Sequence, residues 1–420
     1  MFDYFDTKIP WINEIPQSWE IVPLFDVAEE NKRKNKDKNE NVLSLSYGKI
    51  IRKDISKNFG LLPNNFDNYQ VVDKGYIIIR STDLQNDKKS LRVGLVKEEG
   101  VITSAYIGLS PKSRIDPEYL FYYLNMCDLK KVFYSLGGGL RQSLRYEEFK
   151  RFPVIKNDLR EQKLISQYLE KKTSEIQSLI KKIEKKIQLL KEEKTALINQ
   201  YVTKGLDPNA EMKDSGVEWI GKIPKHWEVQ KITTLYSQSS IRGHQNEQNL
   251  SVFRDYGVVR RDDYENKNVL PEDLSNYKLV RKGDLVLNKM KTWMGSLGVS
   301  DFQGIVSPAY YVLTPNFNFF AGYLHHLLRS KLYIDQYASL SKGVRPGQWD
   351  LGISEFKSLK IILPPIDEQK KINEFITKKL SYISQLSEFE VARIEKLTEY
   401  RQSLISSVVT GKIRITEDMI

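Results

Sequence analysis

The sequence predicts an α+β fold built as an internal tandem duplication: two globular domains with small mixed sheets, each followed by a long helix, the two helices pairing as an antiparallel coiled coil. Two observations carry this. The stretch WINEIPQSWE at residues 11–20 returns as WIGKIPKHWE at 219–228, an offset of 208. From Leu159 to Tyr201 there is neither Gly nor Pro, and Leu169, Ile176, Ile183, Leu190 and Leu197 recur every seven residues. Apolar residues at that spacing line one seam of a supercoiled helix.

The duplication extends well beyond its opening motif. Asn68-Tyr69 recurs as Asn276-Tyr277, and Lys74-Gly75 as Lys282-Gly283. ITSAYIGLSP (102–111) answers IVSPAYYVLTP (305–315), and Gly139-Leu140-Arg141 answers Gly343-Val344-Arg345. Glu161-Gln162-Lys163 then meets Glu368-Gln369-Lys370. A repeat of about 200 residues is too long for a solenoid and large enough to bury its own core. The expected organisation is a globular domain over 1–158, a helical arm over 159–205, a second globular domain over 206–364 and a second arm over 365–420.

Within each globular part, KGYIIIR (74–80) and KGDLVLN (282–288) read as a turn and a buried strand. VGLV (93–96), ITSAYIGL (102–109) and GIVSPAYYVL (304–313) read as further strands. Residues 117–136 and 321–340 read as amphipathic helices, each ending at a Gly-containing loop. YGKIIRKD (47–54) and YGVVRRDD (256–263) alternate like strands with a basic outer face, and NKRKNKDKN (31–39) reads as a solvated loop.

The first arm follows FPVIKNDLREQ and stops at Gly205 and Pro208. The second follows ILPPIDEQ, where Pro364-Pro365 ends the strand and Asp367 is the expected N-cap. The first arm lacks the double proline, so its hinge is expected to be looser. The seam repeats in the second arm as Ile376, Ile383, Glu390, Leu397 and Leu404. Glu390 breaks it once, so the helix is expected to bend there or neighbouring Phe389 to turn inward. Lys181, Lys182, Lys185 and Lys186 are expected on the solvated outside.

The bulk composition narrows the function. The 420 residues hold 40% hydrophobic and 28% charged residues, ordinary for a soluble protein. The N-terminal MFDYFDTKIP has acidic residues where a signal peptide has basic ones, so a cytoplasmic location is expected. The single Cys127 excludes an internal disulfide framework and a cysteine zinc site. The 65 Lys and Arg against 54 Asp and Glu leave +11, which points to an anionic partner such as nucleic acid.

In order and in duplicate, these motifs resemble the specificity subunit of type I restriction–modification systems. The features that carry the resemblance are the paired IPxxWE motifs, the KGD/Y strands, the Gly-x-Arg loops, LPPIDEQKKI (363–372) and the closing LISSVVTGKI (404–413). It covers essentially the whole chain. It implies a non-catalytic subunit whose two target-recognition domains each read half of a bipartite, asymmetric double-stranded DNA target, with helices that space them. It also implies partners: two modification subunits that methylate adenine with S-adenosylmethionine, and two restriction subunits that use ATP and Mg.

The candidate DNA contacts fall in three places. The first is the Gly-x-Arg loop of each copy, with Arg141, Gln142 and Arg145 matched by Lys342, Arg345 and Gln348. Glycines let backbone approach phosphates, and arginine grips guanine O6 and N7 through two bonds. The second is the loop after the central strand, with Arg80 in one copy and Lys289, Lys291 and Trp293 in the other. The third is the basic strand, with Tyr47, Arg52, Tyr256, Arg260 and Arg261. The alternative is a self-contained Mg-dependent nuclease on the Glu-x-Lys triplets Glu148-Phe149-Lys150 and Glu355-Phe356-Lys357. Against it, both phenylalanines read as core and no paired Asp precedes them. No phosphate-cradling G-x-x-x-x-G-K-[ST] is present, and the four histidines lack metal spacing. A coiled-coil scaffold without nucleic acid is the third reading, disfavoured by the duplicated basic loops.

Overall fold

In the computed structural model, residues 3–36, 39–54, 65–84, 90–136, 143–264, 270–316, 319–343 and 349–420 are described. The chain forms two compact units. The first is Met1–Ile183 with Ala392–Ile420, and the second is Glu184–Val391.

Both units are built on the same plan. The first holds a four-stranded antiparallel sheet in the order Ala28–Glu30, Ile107–Pro111, Ile77–Ile79, Val93–Leu95. The second repeats it with Tyr236–Ser239, Tyr310–Pro315, Leu285–Asn288, Leu297–Val299. Ile77–Ile79 and residues 285–287 of the central strands are buried throughout, which is why they read as unbroken apolar runs. Two-stranded pairs recur at matching places: Glu20–Pro23 with Pro153–Lys156 against Glu228–Lys231 with Lys360–Leu363, and Leu43–Ser46 with Lys49–Arg52 against Leu250–Phe253 with Gly257–Arg260. Named strands pair antiparallel; a parallel bridge joins Val42 to Val101 in one unit and Asn249 to Ile305 in the other.

Several elements are shorter than the sequence suggests. Residues 102–109 and 304–313 each divide between two strands, around turns closed by Tyr106 N–H to Thr103 O and Tyr310 N–H to Ser307 O. The 117–136 segment is an α-helix over Pro117–Leu129 and a 3-10 turn over Val132–Ser135, broken at Lys131 with φ +60°. The 321–340 segment breaks at Ser330, which precedes a second helix over Lys331–Leu340. In the Lys-rich stretch the described residues 31–36 and 39 expose Lys32, Lys34 and Lys36 as a solvated loop does, but their asparagines tie the backbone down. Asn35 is 2% exposed and its N–H reaches Tyr69 O at 3.0 Å. Asn31 donates to Val71 O at 2.7 Å, and Arg33 pairs with Asp73 at 2.6 Å. Asparagine side chains here satisfy neighbouring backbone.

The long helices are Leu159–Lys204 and Ile366–Val409. Each contributes half to either unit. In the first unit, Ile165, Leu169, Ile176 and Ile180 share a core with Leu404, Ile405, Val408 and Val409. In the second, Leu197, Ile198 and Val202 share one with Ile372, Ile376 and Leu380. The start of each helix meets the end of the other, so the pairing is antiparallel.

The helix starts differ from expectation in one respect. The second helix begins at Ile366, so Asp367 lies within the first turn, and the carbonyl of Pro365 takes the N–H groups of Glu368 and Gln369 at 2.9 Å. The first start is secured comparably without a double proline: Asp158 Oδ1 accepts from Arg160 and Glu161 N–H at 2.9 and 3.0 Å. Gln162 and Gln369 clamp the two hinges alike, donating to Asn157 O and Pro364 O at 2.7 and 2.8 Å. At the seam break Phe389 stays 63% exposed, while Glu390 itself is 1% exposed and bonds Lys186 at 2.6 Å. Lys186 thus reaches into the seam rather than only covering its outside.

Candidate nucleic-acid interface

In the first unit the strand Ile77–Ile79 runs out into Arg80, Ser81, Thr82 and Asp83. The N–H of Leu144, in the Gly-x-Arg loop segment, donates to Ser81 O at 2.9 Å. The first two candidate loops therefore meet. Arg145 is exposed at the head of a short helix, Tyr146–Phe149, and its N–H donates to the Glu148 carboxylate at 3.2 Å. Arg80, at the strand end, is half-buried. Arg141 and Gln142 lie outside the described residues. Tyr47 tops the Leu43–Ser46 hairpin, 83% exposed with φ +46°. Gly48 follows with φ +76°, the pair of positive φ values that a tight two-residue hairpin turn requires. A side chain at Gly48 would stand 3.0 Å from Leu91 Cβ, so the hairpin tip lies against the return of the same loop.

The second unit makes the same junction with other residues. The Leu351 N–H donates to Lys289 O at 3.3 Å. Lys289 Nζ pairs with Asp350 at 3.1 Å, which holds the ammonium pKa above its ordinary value. Asp350 exchanges backbone bonds with Lys342 at 2.9 and 3.0 Å. The Trp293 and Trp349 rings pack at 4.8 Å between centroids, and Trp293 Nε1 donates to Met290 O at 3.0 Å. Lys291 is exposed beside them, and Lys342 is exposed with its Nζ 3.7 Å from Glu355. Four candidates, Lys289, Lys291, Trp293 and Lys342, thus converge on one patch. Arg345 and Gln348 lie outside the described residues. Tyr256 is 57% exposed in its hairpin turn and packs on Tyr264 at 4.8 Å.

The remaining candidates stand apart from these junctions. Arg52 lies at the hairpin base opposite Leu43 and is bonded to the Glu98 carboxylate through Nε at 2.8 and 2.9 Å. Arg260 lies opposite Leu250 with its guanidinium 5.0 Å from the Phe302 ring centroid. Arg261 begins a 3-10 turn, its N–H on Asn249 O at 2.9 Å.

A family model described as type I restriction modification DNA specificity domain matches residues 16–189 and again 224–398. The chain belongs to that specificity family. The MjaVIII type I restriction enzyme specificity subunit of Methanocaldococcus jannaschii is 25% identical over 428 residues, covering 96% of this chain and 94% of that one. The EcoKI specificity subunit of Escherichia coli is 24% identical over 219 residues, covering 46% of this chain and 44% of that one. A solved structure from work on assembly and conformational transition of the type I R-M system superposes with a TM-score of 0.62 at 14% identity, over 95% of this chain and 99% of that one. That likeness concerns the fold.

As a specificity subunit the chain is not a catalyst, and its Glu-x-Lys triplets are accounted for locally. Phe149 and Phe356 are each 1% exposed core residues. Lys150 pairs with Glu147, and Lys357 donates to Gln238 at 3.2 Å. His325 is held down to about 3 by burial and then by the Arg329 charge, and His326 to about 4 by burial, so both stay neutral at neutral pH. Among the described residues no group of His, Cys, Asp and Glu could hold a metal, and no helix is long and apolar enough to cross a membrane. Sequence reasoning does not single out Trp349, the buried Arg92 or the half-buried Arg329. Trp349 sits within a loop already suspected, whereas nothing in the local pattern marks the two arginines.

Proposed function

We propose that the chain reads a bipartite, asymmetric double-stranded DNA target, one half-site to each recognition domain, and directs adenine methylation or cleavage carried out by partner subunits. We assign 1–158 and 206–364 to recognition, and 159–205 and 365–420 to the helical arms. One observation supports this above the rest. The same loop junction recurs in both units on matching strands, closed by an equivalent backbone bond, yet Ser81-Thr82-Asp83 in one is Lys289-Met290-Lys291 in the other. A common frame with unlike side chains is what two readers of different half-sites require.

The partners in this reading are two modification subunits bringing S-adenosylmethionine and two restriction subunits bringing ATP and Mg, in the cytoplasm. Exposed Tyr382, Phe389 and Leu189 on the helices offer apolar area for docking one of them. The helices, of 46 and 44 residues, are about 65–70 Å long at ~1.5 Å per residue, and act as the spacer between half-sites.

The test is the double substitution Lys289→Ala with Trp293→Ala in the assembled complex, read by mapping methylated sites. Discrimination at one half-site is expected to drop by about 1–3 kcal/mol for each base-edge interaction removed, with the other half-site intact. A uniform loss over all sequences, with a shallower dependence of binding on salt, would assign these residues to phosphate instead.

A further inference from the structure

Arg92 is 0% exposed, yet it carries a permanent charge. Its two Nη atoms serve one loop. Nη1 donates to the carbonyls of Arg80 and Thr82 at 3.2 and 2.8 Å, and Nη2 to that of Asp83 at 2.9 Å. The remaining carbonyl, Ser81 O, takes the N–H of Leu144 at 2.9 Å. Four consecutive carbonyls of the loop therefore each have a donor, three of them from one side chain. The loop holds Asp83 at φ +60°, a conformation a non-glycine residue keeps only when its surroundings fix it.

The arginine is itself fixed. Its Nε donates to Tyr134 OH at 3.2 Å, and its charge lies 5.1 Å from that ring centroid. Its backbone N–H and that of Val93 donate to the buried Asp128 carboxylate at 2.5 and 3.3 Å. Among the described residues, the second unit has no such device at this place. Arg80 N–H bonds Arg92 O in the first unit, and Asn288 N–H bonds Ser296 O in the second, so Ser296 stands where Arg92 does. There the loop is closed by its own groups, Trp293 Nε1 on Met290 O and Ser296 N–H on Lys291 O.

We propose that Arg92 is a positioning residue for specificity in the first recognition domain alone, holding the Arg80–Asp83 loop in its reading shape without itself touching DNA. This rests on the reading that the loop junction contacts the target. A lysine cannot replace Arg92, because one ammonium cannot span three carbonyls and a tyrosine hydroxyl in a planar fork.

The experiment uses the full chain assembled with its modification subunits, carrying R92K or Y134F, and competes DNA duplexes altered one base pair at a time in either half-site. With R92K, discrimination at the first domain's half-site is expected to fall about tenfold, the order of a single mismatched base pair. Y134F should give a smaller loss at the same half-site. Discrimination at the other half-site, and the salt dependence of binding, should not change. A loss shared by both half-sites, or collapse of hydrogen-exchange protection in Ile77–Ile79 and Val93–Leu95, would overturn the positioning role. T82A and R145A separate the two ideas. If they alter discrimination while R92K does not, Arg92 has no positioning role and the loop reading stands. If none of the three alters it, the loop reading falls and takes this proposal with it.

Discussion

The tryptophan of each IPxxWE motif is a core residue that makes the same bond in both copies. Trp19 Nε1 donates to Glu161 at 3.0 Å, and Trp227 Nε1 donates to Glu368 at 3.2 Å. Both glutamates open a long helix, in the duplicated Glu-Gln-Lys, so two motifs distant in sequence form a single clamp. Carboxylates in a first turn also suit the positive end of the helix. Trp227 is fully buried, and the second oxygen of Glu368 bonds His226 at 2.7 Å. Glu368→Ala is therefore expected to lower the stability of the second unit by about 1–3 kcal/mol, the cost of a buried donor left without its acceptor. Glu368→Gln, which keeps an acceptor oxygen, should cost less. Urea unfolding followed by tryptophan fluorescence measures both, and equal losses would show that the carboxylate matters for its charge rather than as an acceptor. The motif was visible in the sequence, but its meaning was not, because a bond between residues 141 positions apart leaves no local periodicity.

At the scale of elements, periodicity carried the reading as far as backbone geometry follows it. The heptads located both long helices, and the apolar runs after Lys74-Gly75 and Lys282-Gly283 located the central strands. Breaks were less legible. Lys131 takes a left-handed φ that composition does not announce, so one expected helix is two shorter pieces. Of the three candidate places, two loops and a basic strand, residue type and duplication marked each, while the meeting of the two loops depends on tertiary bonds such as Leu144 to Ser81. Glu390 shows the same limit. A carboxylate in an apolar seam reads as a defect, yet Glu390 is buried and bonded to Lys186, whose side chain stays half exposed. Removing one partner of a buried pair costs far more than replacing both with apolar side chains. Lys186→Met is expected to destabilise the second unit by about 1–4 kcal/mol, and Lys186→Met with Glu390→Leu to recover most of that loss. Denaturation midpoints of the three chains decide it; a double variant no better than the single one would mean that Glu390 is held mainly by its other neighbours.

For the whole molecule, duplication in sequence is not division in structure. The repeat boundary falls near residue 208, but the compact units exchange helix halves, and the first unit is completed by Ala392–Ile420 from the far end of the chain. That segment brings Leu404, Ile405, Val408, Val409 and Ile415 into the first unit's core. Gly411, at φ +73°, lies so close to Pro16 and Trp19 that a Cβ would stand 2.6 Å from the proline ring, and its carbonyl accepts from Tyr4 OH at 3.0 Å. Arg401 donates to Gln177 at 2.8 Å. Each fully buried aliphatic side chain contributes about 1.5–3 kcal/mol, so these five supply on the order of 10 kcal/mol, comparable to the whole stability of a typical domain. A chain ended at Val391 keeps every residue of the second unit and strips this segment from the first. Hydrogen exchange on that chain is expected to show protection lost in Ile77–Ile79 and Ile107–Pro111 but kept in Leu285–Asn288 and Tyr310–Pro315. If the first unit's strands stay protected, the C-terminal segment is not part of its folding core. If both units lose protection together, the two fold as one cooperative body, and the helix halves couple them more strongly than their separate cores imply.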